Sequence, residues 1–204
     1  MEQRLIPTPR SLEDVEVLSR EELGQGWGKL ERFRFRHRRF DGGWSDIVTR
    51  DIYYIGEVAM VLPYDPALDA VILIEQFRSC GLIHNEPTWL FEAVAGIIDP
   101  GETPAGVAAR EAVEEAGCEI GEPILIASVF SSPGGYGERT HMFTAKTALA
   151  GLGGIHGLAH EHEDIRAVVV PLDEAYAATR DGRIRDAKTM LMIQWLMLNR
   201  AHIA

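Results

Sequence analysis

Apolar and polar positions change rhythm along this chain. From Val15 to about Gly56 the spacing is two: Phe33, Phe35 and His37 alternate with Arg32, Arg34 and Arg36, which puts the two sets on opposite faces of a strand. Asp41-Gly42-Gly43 supplies a hairpin turn, and a second strand follows from Ile47 to Tyr54. So thin a sheet is not stable alone and must pack on the rest of its chain or on a second subunit. Ahead of it, residues 1–10 carry two prolines and are expected to form a loose tail.

After Gly56 the pattern shifts. Val58–Leu62 and Ala70–Phe77 read as strands across a Pro63–Asp69 loop, and Val71–Ile74 is apolar on both faces, as in a central strand. Trp89–Ala95 is a further strand, followed by a helix over Pro104–Ala116 and strands near Ile124–Phe130 and His141–Ala145. A glycine-rich loop covers about 150–164. A strand at Ala167–Leu172 and helices at Asp173–Arg180 and Ala187–Arg200 close the chain. This order predicts an α/β fold with a mixed sheet covered by helices on both faces. The last helix is apolar around nearly its whole circumference, so it is buried or lies at an interface. Together with the thin N-terminal sheet it favours a homodimer, burial within one subunit being the alternative.

Composition narrows the function. The 204 residues are 46% hydrophobic and 25% charged, as in a globular domain with a real core, and the formal net charge is −11. That field repels nucleic acid and anionic membranes, so neither is expected as a partner. The Arg32–Arg39 run therefore reads as a solvated or intersubunit face. No apolar run reaches the length of a membrane span, and the N-terminus lacks the apolar stretch of a secretory signal. Cys80 and Cys118 are too few for a disulfide framework, which fits a reducing cytoplasm.

The acidic excess is concentrated. Residues 99–122 hold seven carboxylates (Asp99, Glu102, Glu111, Glu114, Glu115, Glu119, Glu122) against one arginine, Arg110. Thr103 suits the N-cap of the helix here, Pro104 its first position and Gly117 the residue past its end. Within it Glu111, Glu114 and Glu115 stand at i, i+3 and i+4 and share one face; Ala105, Ala109, Ala112, Val113 and Ala116 form the opposite, small-residue face. Three like charges together are either a solvated acidic face or a site for hard divalent cations, whose ligands are carboxylate oxygens.

The stretch Gly96, Glu102, Arg110, Glu111, Glu114, Glu115 and Gly117 resembles the Nudix box, with Ala112 and Cys118 in its apolar positions. The resemblance implies a Nudix fold, a mixed β-sheet sandwiched between α-helices with an N-terminal antiparallel β-sheet arm. It divides the chain into an arm over 1–56 and a hydrolase domain over 57–204. It also implies metal-dependent hydrolysis of a nucleoside diphosphate linked to a further group, with Mg²⁺, or Mn²⁺, held by Glu111, Glu114, Glu115 and the Ala95 carbonyl. Glu102 and Arg110 are similar to the pair that braces the loop against the helix.

Outside the box, Pro133 in Ser131–Arg139 is similar to a mark of the ADP-ribose pyrophosphatases of the family, and Gly154–Arg166 resembles the catalytic loop of their bacterial members. By that resemblance Glu161 is the general base, with Glu163 the second candidate. Arg78 clamps the diphosphate, and Arg50 and Trp27 are substrate contacts supplied by the arm of the other subunit. Glu138 holds the terminal ribose. Read without the resemblance, Arg78 is a rim arginine, Trp27 a core or interface aromatic, and Ser131–Glu138 a hairpin loop. His160 and His162 suit zinc, but a glycine-rich loop sets no ligand geometry, so a dedicated zinc site is not expected. The substrate implied is ADP-ribose, cleaved to AMP and ribose 5-phosphate. Other nucleoside diphosphate sugars, GDP-mannose among them, are the alternative, and a non-catalytic Nudix-like sensor is a third reading.

Overall fold

The computed structural model describes Ile6 and residues 9–203; most of the proposed 1–10 tail lies outside the described residues. The chain divides into two compact units. The first runs up to Ile55 and includes Ser132–Gly137. The second takes Gly56–Ser131 and Glu138 onward.

The first unit is a three-stranded antiparallel sheet of β1 (Val15–Gln25), β2 (Lys29–His37) and β3 (Val48–Tyr54), in that order. Part of the arginine run is paired within it. Arg32 makes a two-pronged bond to Asp51, directly across from it on β3, at 2.7 Å for each nitrogen, and Arg36 bonds Glu16, its register partner on β1. Gly42 and Gly43 both take positive φ in the turn before β3. Residues 132–137 join this unit through β3. The Tyr53 N–H donates to the Gly135 carbonyl, the Gly137 N–H donates to the Tyr53 carbonyl, and the Tyr53 and Tyr136 rings stack at 6.0 Å.

The second unit is built on an eight-stranded mixed sheet. Its strands are β4 (Glu57–Asp65), β5 (Ala70–Phe77), β6 (Trp89–Glu92), β7 (Val94–Ile97), β8 (Ile124–Phe130), β9 (Arg139–Lys146), β10 (Gly154–His156) and β11 (Ile165–Pro171). The main path runs β10-β11-β5-β4-β9-β8, with β6 on β5 and β7 on β4, and only β4 and β9 pair in parallel. As the apolar run Val71–Ile74 predicts, β5 is central and fully buried there. Alternation sends Ala59, Val61, Ile72 and Ile74 toward α1 (Pro104–Ala116), while Met60, Leu62 and Leu73 face the other way. On that second side lie α2 (Leu172–Asp181) and α3 (Ala187–Ile203), which pack on each other.

Three expectations are revised. The segment 89–95 is two strands rather than one: at Ala93 the chain leaves β5 for β4, and the Ala93 N–H donates to Thr189 Oγ1 at 2.8 Å instead of to a ladder partner. The small-residue face of α1 is rotated. Val113 is 50% exposed, and the sheet side is Val107, Ala108, Ala112 and Ala116, flanked by buried Glu111 and Glu115. Finally, α3 buries one side, through Thr189, Met192, Ile193 and Leu196, and leaves Leu198 exposed. No helix among the described residues is long and apolar enough to cross a membrane.

Candidate active site

The ends of α1 form where the local chemistry asks. Thr103 Oγ1 accepts the Gly106 N–H at 3.1 Å, Pro104 opens the helix, and Gly117 closes it at φ 59°, where an added Cβ would meet His156 at 2.7 Å. The helix lies against β7 and β4. Glu115, 2% exposed, accepts the Ala95 N–H through Oε2 at 2.9 Å. Glu111 stands over Gly96 so closely that a Cβ there would fall 1.7 Å from its Oε1, so only glycine leaves room for this carboxylate.

Arg110 gathers the other acids. One of its nitrogens, Nη1, reaches Glu111 Oε1 and Glu114 Oε2, each at 2.8 Å, while Nε donates to Glu102 Oε1 at 3.2 Å. Glu102 Oε2 accepts the Asp99 N–H at 2.9 Å, so Glu102 and Arg110 tie the loop to the helix. Burial pushes the Glu111 carboxyl up to about 7, helped by the charges of Glu114 and Glu163 and opposed by Arg110. Burial also drives Glu115 well above the ordinary carboxylate range, with Glu111 and Glu163 adding to it and the Ala95 N–H opposing. Two buried carboxyls held together against their own charge are unfavourable as anions until a cation joins them. Arg110 partly supplies that cation.

Arg78 extends the site from the end of β5. Its Nε and Nη2 grip the Glu92 carboxylate at 2.8–3.1 Å, and Glu115 and Asp186 also act on its charge. On the same strand face as Ile72, Ile74 and Arg78, the Gln76 amide nitrogen is buried with no hydrogen-bond partner among the described residues, a donor suited to an anionic oxygen.

The catalytic-loop candidates are placed differently from one another. Glu163 accepts the Leu158 N–H at 3.1 Å, and its charge raises both Glu111 and Glu115. Glu161 ends a short 3₁₀ turn, Ala159–Glu161, with its carboxylate more than half exposed and His160 at 3.4 Å. Glu138, only 4% exposed, is an internal anchor whose Oε1 accepts from Ser131, Thr140 and Lys188 at 2.6–2.8 Å. In the first unit, Trp27 is 75% exposed, and Arg50 on β3 donates to the Thr49 carbonyl. Among the described residues no three His, Cys, Asp or Glu side chains are arranged to close on a metal ion; Arg110 lies between Glu111 and Glu114 instead. The donor set nonetheless fits a hard divalent cation, being carboxylates with an excess of buried negative charge.

A profile described as NUDIX domain matches residues 54–191. The chain belongs to the Nudix family. Its fold is the Nudix fold, a mixed sheet between helices preceded by an antiparallel three-stranded sheet. This Nudix chain is 42% identical over 194 residues to the ADP-ribose pyrophosphatase of Escherichia coli (strain K12), an alignment that spans 95% of this chain and 93% of that one. The "ADP-ribose pyrophosphatase" of Haemophilus influenzae is 41% identical, covering 95% and 90%. The "GDP-mannose pyrophosphatase" of Pectobacterium atrosepticum is 34% identical, covering 88% and 92%. A crystal structure of an "ADP compounds hydrolase" matches with a TM-score of 0.69 over 95% of this chain and 98% of that one; at 19% identity it speaks to the fold alone.

Sequence reasoning passed over the supports of this site. Glu92 holds Arg78, Lys188 holds Glu138 and Thr189, seated by Asp186, holds the β6–β7 break, and no local spacing pairs Glu92, Lys188 or Thr189 with those partners. The side-chain hydroxyl of Thr189, just ahead of the apolar run Met190–Ile193, is an available signal.

Proposed function

We propose that this Nudix chain hydrolyses the diphosphate of ADP-ribose, giving AMP and ribose 5-phosphate. The observation that carries the reading is the buried Glu111–Glu115 pair over Ala95 and Gly96, in a chain 42% identical along nearly its whole length to an ADP-ribose pyrophosphatase. Glu111, Glu114, Glu115 and the Ala95 carbonyl would hold Mg²⁺, with Mn²⁺ as substitute. Bound there, the cation neutralises diphosphate charge and makes water a better nucleophile.

The protein's own groups do the rest. Arg78, held extended by Glu92, presents a fixed positive charge to a phosphate, and the unpaired Gln76 amide offers a neutral donor beside it. Glu161 is the proposed base: its carboxylate is exposed at the end of its turn, while that of Glu163 secures the turn through Leu158. Arg50 and Trp27 are proposed to reach substrate from the arm of a second subunit, with Trp27 stacking on adenine. The exposed apolar side chains Val17, Leu18, Leu23 and Trp27 support a homodimer through that arm, with light scattering as the check. Glu138 is proposed to serve the ribose end from its anchored position. The unpaired, exposed thiol of Cys80 supports a cytoplasmic setting.

Ranking kcat/KM over ADP-ribose, other ADP-sugars and GDP-mannose tests the reading. ADP-ribose is expected to lead with AMP and ribose 5-phosphate as products. A clear preference for GDP-mannose would replace it with the second reading, which the 34% identity to a GDP-mannose pyrophosphatase supports as the alternative. Tight binding without turnover would leave the sensor reading.

A further inference from the structure

The strand that carries the Nudix glycine is held by a residue almost a hundred positions away. β6 pairs with β5 and β7 with β4, so the backbone changes neighbours at Ala93, which is fully buried. At that step the Ala93 N–H has no ladder acceptor, and Thr189 Oγ1, also fully buried, takes it at 2.8 Å. The same hydroxyl donates to Asp186 Oδ2 at 2.7 Å, and that oxygen also accepts the Thr189 N–H at 2.8 Å as it opens α3. Two residues on from Ala93, the Ala95 N–H meets Glu115, and at the next position Gly96 lies under Glu111.

We propose that Thr189, seated by Asp186, is a positioning residue for the cation site. Its hydroxyl fixes the partner change at Ala93 and so sets where Ala95 and Gly96 stand against the α1 carboxylates. The proposal rests on the metal reading given above for its consequence, but the backbone effect stands apart from it. A hydroxyl is required, because one oxygen must accept from Ala93 and donate to Asp186 together. Valine has the same shape and does neither, leaving the buried amide without an acceptor. Serine does both.

The test compares wild type with Thr189→Val, Thr189→Ser and Asp186→Ala, each first shown to be folded by far-ultraviolet circular dichroism. Two readouts are taken: hydrogen exchange of the 93–97 amides in chelator, and Mn²⁺ affinity by electron paramagnetic resonance. Thr189→Val is expected to raise exchange of these amides and to weaken Mn²⁺ binding about tenfold or more, the loss typical when a supporting partner of a ligand is removed. Thr189→Ser restores both, and Asp186→Ala moves both the same way by less. If exchange and affinity in Thr189→Val match wild type, the proposal is overturned; should that variant not fold, unchanged values in Asp186→Ala overturn it. If wild type takes up no Mn²⁺ while the amides still loosen in Thr189→Val, the metal reading fails and the positioning role holds.

Discussion

Removing divalent cations and raising the pH sets the buried carboxyls of α1 against each other. In the unfolded chain Glu111 loses its proton near its ordinary value of 4.5, whereas burial holds it in the folded protein to about 7. Between those values the folded state binds the extra proton, so the Glu111 contribution to stability is fully present below about 4.5 and is lost as pH rises to 7. At about 1.4 kcal/mol for each pH step, the loss is on the order of 3 kcal/mol, and Glu115, also raised, adds to it in the same direction. The lowered carboxyls Glu57, Asp65, Glu102 and Glu138 act oppositely, but their contribution disappears only as the pH falls below the ordinary carboxylate range. Tyr64, pushed up to about 12 by burial, enters only in alkali. Urea denaturation in chelator at about pH 5 and about pH 7.5 should show this loss, equivalent to roughly 6–12 °C in Tm for a chain of this size. Glu111→Gln should flatten the profile, and Mn²⁺ at the higher pH should restore wild type. Stability that stays level or rises over this interval would refute the burial argument.

Three further outcomes follow from the site. Glu161→Gln should lower kcat by roughly 10²–10⁴ with KM little changed, while Glu163→Gln costs less; the reverse order would make Glu163 the base. Gly96→Ala should fold, yet weaken Mn²⁺ binding by about tenfold or more, since the new methyl displaces Glu111, and an unchanged titration would show that Glu111 need not stand there. Arg78→Ala strands the buried Glu92 carboxylate; because Arg78 is more than a third exposed, the expected stability loss is only about 1–2 kcal/mol in urea, with a raised KM, and Arg78→Lys should recover the stability better than the KM.

What could be read from sequence was what neighbours decide. The bounds and caps of α1 depend on Thr103, Pro104 and Gly117, all within one segment, and the centrality of β5 depends on a continuous apolar run. The exposure of Val113 is not legible because small residues around Glu111 leave the helix face ambiguous by roughly a quarter turn. The break at Ala93 depends on Thr189, and the burial of Glu138 on Lys188; both partners come from α3, and no periodicity reports a bond between distant segments. The arginine run reads from sequence as a solvated or intersubunit face for the same reason. Its carboxylates, Glu16 and Asp51, sit on the flanking strands and become visible only once the register is known.

The piece of chain at 132–137 that completes the first unit has a consequence for biosynthesis. Tyr53 leaves the ribosome about 80 residues before Tyr136, a delay of roughly 4–16 s at ordinary elongation rates. Throughout that interval the outer edge of β3 lacks the Gly135 and Gly137 bonds. The nascent sheet is therefore exposed to pairing with other chains until about half of the hydrolase segment has been made. A deletion of residues 132–137 should accordingly harm yield and solubility in cells more than its length suggests.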